Sequence, residues 1–143
     1  MSAVRSGRVP WADEACADWG RRIQRHFPFE ERAIRPSTAA GEAEALLALV
    51  PPRGRLVVLD ERGEDLTSPQ LAQLLERCAQ DAVTSLVFAI GGAYGHAPVV
   101  RERAWKTVRL STMVLAHAVA RVVLVEQVYR ACTIRAGEPY HHA

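Results

Sequence analysis

The run Leu86-Val-Phe-Ala-Ile90 is apolar throughout and stops in a cluster of glycines, Gly91, Gly92 and Gly95. Without a Cβ, a glycine backbone takes positive φ freely and lets its amides approach a bound molecule closely. The stretch therefore reads as a buried strand feeding a ligand loop, with a plain turn toward the next helix as the alternative. Strands apolar on both faces belong to parallel sheets covered by helices on each side, and such sheets bind ligands beyond the carboxyl ends of their strands. Further along, His117 and Arg121 stand four residues apart, as do Glu126 and Arg130. On a helix each pair shares a face, and the second reads as an ordinary ion pair. The chain finishes on Pro139-Tyr140-His141-His142, a polar aromatic tail of a kind that commonly frays.

Lys106 is the only lysine among 18 basic residues, so arginine carries nearly all the positive charge, and its planar fork suits phosphate oxygens. Biased codon usage would give the same preference, and a formal net charge of +2 is too mild to establish nucleic-acid binding by itself. Cys16, Cys78 and Cys132 are odd in number and far apart, as expected of small buried hydrophobes in a reducing compartment; no zinc spacing is present, so no metal is expected. No window approaches the roughly 20 uncharged apolar residues of a membrane span. The opening Met1-Ser-Ala-Val-Arg-Ser-Gly-Arg8 has no apolar core of a signal peptide. A cytoplasmic protein without a membrane partner is the expectation. With 143 residues, 49% hydrophobic and 24% charged, the chain should form one domain over 1–143.

Alternating strands and helices must position these groups. Residues 1–9 have room for one short strand. Pro10 suits a first helical turn, and Trp11, Ala15, Cys16, Trp19, Ile23 and Phe27 recur at helical spacing up to Pro28. Arg21, Arg22 and Arg25 on its other faces read as a solvated surface rather than an RNA contact. A second strand is expected over Phe29 to Ile34 and a helix over Ala39 to Val50, stopped by Pro51-Pro52-Arg53-Gly54. Leu56 to Leu59 is an apolar strand closing on Asp60-Glu61-Arg62-Gly63 as a loop. Thr67-Ser68-Pro69-Gln70 has the residues of a capping box and opens the next helix, whose buried stripe is Leu71, Leu74, Leu75 and Cys78. After the strand at 86–90, Pro98 starts a short helix to about Trp105, and Val108 to Leu110 makes a fifth strand. Leu115 to Ile134 is one helix, apolar nearly all round, which requires cover on most sides; the sheet on one face and a second subunit on the other would supply it.

Six motifs in register carry a resemblance: Val58-Leu59-Asp60, Gly91-Gly92-Ala93-Tyr94-Gly95, Leu110-Ser111-Thr112-Met113, His117 to Arg121, Glu126 to Ala131, and Pro139-Tyr140-His141. Their order resembles the RlmH family of small SPOUT-type ribosomal RNA methyltransferases. The resemblance implies an α/β fold, a parallel sheet flanked by helices with a C-terminal trefoil knot through which the last helix is threaded. It implies a homodimer that uses S-adenosylmethionine to methylate N3 of a pseudouridine in helix 69 of 23S rRNA within the assembled ribosome. On the same ground the cofactor pocket would be built from Leu59, Gly91, Gly92, Gly95, Leu110, Ser111, Thr112, Met113, Val114 and Leu115. Tyr140 and His141 would be catalytic, shaping the target-base site, with His117, Arg121 and His142 contacting substrate.

N3 must lose a proton, which His117, His141 or His142 could take near neutral pH. Two features depart from the family pattern. The first strand looks short, which predicts an absent or frayed sheet edge, and Ala116 and Ala118 stand where prolines usually flank the histidine, loosening the start of the last helix. A catalytically weakened dimeric RNA-binding relative, or a SPOUT enzyme acting on another RNA, are the alternatives.

Overall fold

The computed structural model describes residues 2–5, 9–91 and 95–142. Five strands alternate with five helices: β1 (Ser2–Arg5), α1 (Pro10–Ile23), β2 (Glu30–Ala33), α2 (Ala39–Ala48), β3 (Arg55–Asp65), α3 (Ser68–Gln80), β4 (Leu86–Ile90), α4 (Pro98–Arg103), β5 (Lys106–Arg109) and α5 (His117–Ala136). All strand pairings are parallel, in the order β2-β1-β4-β3-β5. β1 is no frayed edge. It pairs with β2 on one side and β4 on the other, so a four-residue strand suffices where both neighbours hold it.

The central strands explain the layering. Side chains alternate across a strand, so Phe88 and Val57 face a core shared with α1, α3 and α5, while Val87, Ala89, Leu56 and Val58 face a second core with α2 and α4. Both faces of β4 and of β3 over 56–58 are thus dry, and their apolar runs need helices on each side. α5 lies against α1 and α3 on the first face, and its Leu124, Val125, Val128, Ala131 and Cys132 are buried within the single chain. The all-round apolarity of this helix is therefore met largely by its own subunit. Only Val119, on the first turn, is an exposed large hydrophobe of the helix.

Several boundaries moved for local reasons. α1 stops at Ile23 because the Gln24 amide turns back onto the backbone of Phe29, accepting from its N–H at 3.2 Å and donating to its carbonyl, which steers the chain into β2. The capping box of α3 forms as expected: the Thr67 hydroxyl accepts from the Gln70 amide at 3.2 Å, and the Thr67 amide donates to Gln70 Oε1 at 2.8 Å. α5 runs two residues past Ile134 and ends at Gly137, whose φ of 73° is the left-handed cap that only glycine takes without strain. β3 does not end at Asp60. Its register on β5 jumps from Leu59 opposite Val108 to Glu64 opposite Val108, so 60–63 bulge out and the ladder then resumes. Gly63 makes this possible, since a Cβ there would stand 2.5 Å from the Val108 carbonyl carbon.

Arg121 ties the first layer together. Its side chain is 4% exposed; Nε and Nη2 donate to the two oxygens of Glu31 on β2 at 2.7 and 3.0 Å, and Nη1 donates to Asp13 on α1 at 2.5 Å. Both carboxylates favour the charged guanidinium, raising its pKa despite the desolvation that opposes it. Freeing this group to meet a phosphate would take a buried cation away from both Glu31 and Asp13, at a cost of several kcal/mol, more than a surface phosphate contact returns. Arg121 is therefore a structural clamp and not the substrate contact expected from its place in the sequence. Arg121→Leu should lower unfolding free energy by about 3 kcal/mol in urea titrations; an unchanged midpoint would show that the three charges contribute nothing.

Candidate active site

The bulge of β3 and the segments that follow β4 and β5 lie side by side and enclose one open cleft of about 1040 Å³. Leu59 and the 60–62 bulge form one wall, Ile90, Gly91 and Gly95 the second, and Arg109 to Ser111 with Met113 to Leu115 the third, closed by His117 and Ala120 of α5. Of the expected pocket residues, Leu59, Gly91, Gly95, Leu110, Ser111, Met113, Val114 and Leu115 thus meet in one place, with His117 beside them. Thr112 belongs to the same loop but does not line the cleft. Gly92 lies outside the described residues. Asp60, Glu61, Arg62, Ile90, Arg109 and Ala120 were missed as lining residues, although Asp60 closes the Val-Leu-Asp motif and so signalled its position.

Each wall has a local cause. Gly95 takes φ 75°, in the left-handed region. Gly91 is needed for space instead: a Cβ would lie 3.1 Å from His96 Nε2 and 3.2 Å from the Gly95 carbonyl carbon. In the third wall the Ser111 hydroxyl accepts from the Met113 amide at 2.9 Å, a short turn that pushes Met113 and Val114 outward, 76% and 86% exposed. Apolar side chains so placed await cover.

Two histidines bring buried polar atoms to this region. His117 Nε2 and His96 Nε2 have no hydrogen-bond partner among the described residues. Desolvation holds both imidazoles below the ordinary range; the positive Arg121 adds to the shift at His117, while the Ala89 and Leu59 carbonyls and the Asp60 carboxylate only partly offset it at His96. Both rings are therefore neutral at neutral pH.

The tail is not frayed. Tyr140 donates to Glu126 Oε1 at 3.0 Å, and its ring packs edge-on against Tyr129 at 4.8 Å and Trp19 at 5.9 Å. Arg130 lies 4.8 Å over that ring, donates to Glu126 at 2.8 Å and reaches His141 Nδ1 at 3.2 Å. Guanidinium only donates, so Nδ1 is the acceptor and the proton of neutral His141 sits on Nε2. Burial, followed by the Glu126 contact, pushes the Tyr140 phenol up. Glu126 and Arg130 are more than an ion pair: they hold the tail against α1 and α5. Tyr140, His141 and His142 do not line the cleft of their own chain.

Comparison with known proteins decides the kinship. The family described as "Predicted SPOUT methyltransferase" matches residues 1–141. Ribosomal RNA large subunit methyltransferase H of Geobacter metallireducens is 45% identical, over 95% of this chain and 98% of its own length. The chain belongs to this family of SPOUT methyltransferases. The protein of the same name from Solidesulfovibrio magneticus is 42% identical over 99% of this chain and 97% of its own. A solved SpoU methyltransferase, AviRb from Streptomyces viridochromogenes in complex with the cofactor AdoMet, aligns with a TM-score of 0.44 at 13% identity over 91% of this chain and 59% of that one. No helix among the described residues is long and apolar enough to cross a membrane.

The two depressed histidines set a pH dependence for this SPOUT protein. Each binds a proton less readily when folded than when unfolded, so stability should fall as pH drops below about 6.5, above the range where carboxylates titrate. Thermal unfolding at pH 8 and pH 5 checks this. The double variant His96→Asn, His117→Asn should lose most of the difference, and an equally steep variant would assign it elsewhere.

Proposed function

We propose that this methyltransferase binds S-adenosylmethionine in the cleft and, as a cytoplasmic homodimer, methylates N3 of a pseudouridine in helix 69 of 23S rRNA in the assembled ribosome. The convergence of Leu59, Gly91 and the 110–115 loop at one end of the sheet carries this reading. The residues present suit the cofactor. Leu59, Leu110, Met113 and Leu115 offer apolar surface for an adenine, flanking backbone amides and carbonyls can read its edge, and the Cβ-free wall at Gly91 admits close approach. We also propose that the chain from β5 to α5 is threaded as the family's trefoil knot. Coverage of 98% and 97% of these relatives' own lengths supports carrying the family's substrate over to this chain.

Bound S-adenosylmethionine supplies a sulfonium-activated methyl carbon open to in-line attack by nitrogen. The protein's part is to hold N3 on that line and to remove its proton. His117 lines the cleft and suits the second task once a rotation of its ring brings the buried, unpartnered Nε2 to the cleft surface. His141, with Nδ1 held by Arg130, presents an N–H at Nε2 that can donate to a pyrimidine carbonyl as charge develops on the ring. Since the tail misses its own cleft, we assign Tyr140 and His141 to the cleft of the second subunit, with His142 beside the RNA. The exposed Met113 and Val114 on the cleft wall, with the exposed Val119 on the first turn of α5, are the surface a second copy would cover.

Ribosomes lacking the modification, incubated with the protein and methyl-labelled S-adenosylmethionine, should gain label in helix 69; absence of label would refute the assignment. Tyr140→Phe and His141→Ala should bind S-adenosylmethionine within about twofold of normal in calorimetry and lose about a hundredfold in turnover. Mixing His141→Ala chains with Gly91→Leu chains should recover activity. Failure to recover would place each tail at its own cleft.

A further inference from the structure

The bulge at 60–63 interrupts a ladder that is otherwise regular, and it requires Gly63 at a point where any side chain would collide with β5. Such bulges commonly serve to re-aim a side chain beside a functional site. Here the re-aimed residue is Arg62. Its amide donates to Asp60 Oδ1 at 2.9 Å and its Nε reaches the same oxygen at 3.5 Å, while the other Asp60 oxygen lies 3.9 Å from Arg101 Nη1. Asp60 is 6% exposed and Arg62 75% exposed. The Arg62 amide, more than any other group, holds the Asp60 carboxyl below the usual range, so the brace is an anion. It fixes the base of the arginine and leaves the tip outside.

The other arginines of the region are engaged. Arg109, also on the cleft wall, gives Nε and Nη2 to Asp65 at 2.6 and 2.9 Å. Arg121 is held by Glu31 and Asp13. Arg62 Nη1 and Nη2 have no partner among the described residues, which makes it the one cleft-lining arginine with a free fork. We infer that Arg62 takes a backbone phosphate of the RNA strand entering the cleft, with Asp60 as the residue that positions it. A guanidinium fork matches two phosphate oxygens, and its exposure suits a strand arriving from solvent better than an enclosed cofactor carboxylate. The inference rests on the RNA-methyltransferase reading proposed above.

The test uses the full-length protein with unmodified ribosomes as the probe, between 50 and 200 mM salt at about physiological range. Arg62→Gln should raise KM for ribosomes about tenfold with kcat and calorimetric S-adenosylmethionine affinity within about twofold, and reduce the slope of log affinity against log salt by about one. Arg62→Lys should keep the wild-type slope. Asp60→Asn should raise KM while keeping the slope, because the charge remains and only its placement is lost. A wild-type KM and slope in Arg62→Gln would overturn the phosphate contact. Loss of S-adenosylmethionine affinity with ribosome binding intact would also overturn it, moving Arg62 to the cofactor's carboxylate. If the wild type binds ribosomes with the slope difference present but transfers no methyl group, the enzymatic reading falls and the phosphate contact stands.

Discussion

Two adjacent strand segments, 56–58 of β3 and 86–89 of β4, have no face that tolerates water. Val57, Val58, Val87, Phe88 and Ala89 are each at most 2% exposed. Burying the valines and the phenylalanine contributes about 1.5–3 kcal/mol apiece, which is available only if helices cover both sides of the sheet. That demand makes every connection a crossover and every strand parallel. All strand ends then point the same way, and the loops that leave them gather at one rim. The cleft is thus a by-product of a sheet built to be dry on both faces, and its chemistry lies in what those loops carry.

A second constraint acts within the first layer. Arg121 reaches α1 and β2 from the first turns of α5, so the helix that closes the cleft is locked to its neighbouring helix and to the edge strand. Fixing that turn fixes His117, one helical turn earlier. At the opposite end of α5, Glu126 and Arg130 secure Tyr140 and His141 in a defined orientation. The same helix therefore presents one histidine to its own cleft and holds a second, with its protonated nitrogen specified, away from it. This separation is the observation behind the proposal that the tail serves a second subunit.

Much of this was legible in the residues alone. All five strands and five helices were expected, because apolar runs bounded by Pro and Gly and a complete capping box at Thr67 are local signals. The walls of the cleft were legible through the motif order at Leu59, Gly91 and Leu110 to Leu115. What escaped reading was set by contacts distant in sequence. Arg121, expected among the substrate contacts, is instead held by Glu31, ninety residues away. The 60–63 loop resumed as strand because β5 continues beyond it, and the tail docked because Trp19 and Tyr129 provide a surface that no local pattern reveals. The short first strand proved internal for the same reason, its neighbours supplying what its own length lacks.

The central claim is that the three strand-end segments form a single cofactor cleft. A crystal structure with S-adenosylhomocysteine tests it most directly. The adenine should lie among Leu59, Leu110 and Leu115, with the sulfur between Gly91 and the 110–115 loop. Electron density for the ligand elsewhere on the chain, or none at saturating concentration, would contradict the account.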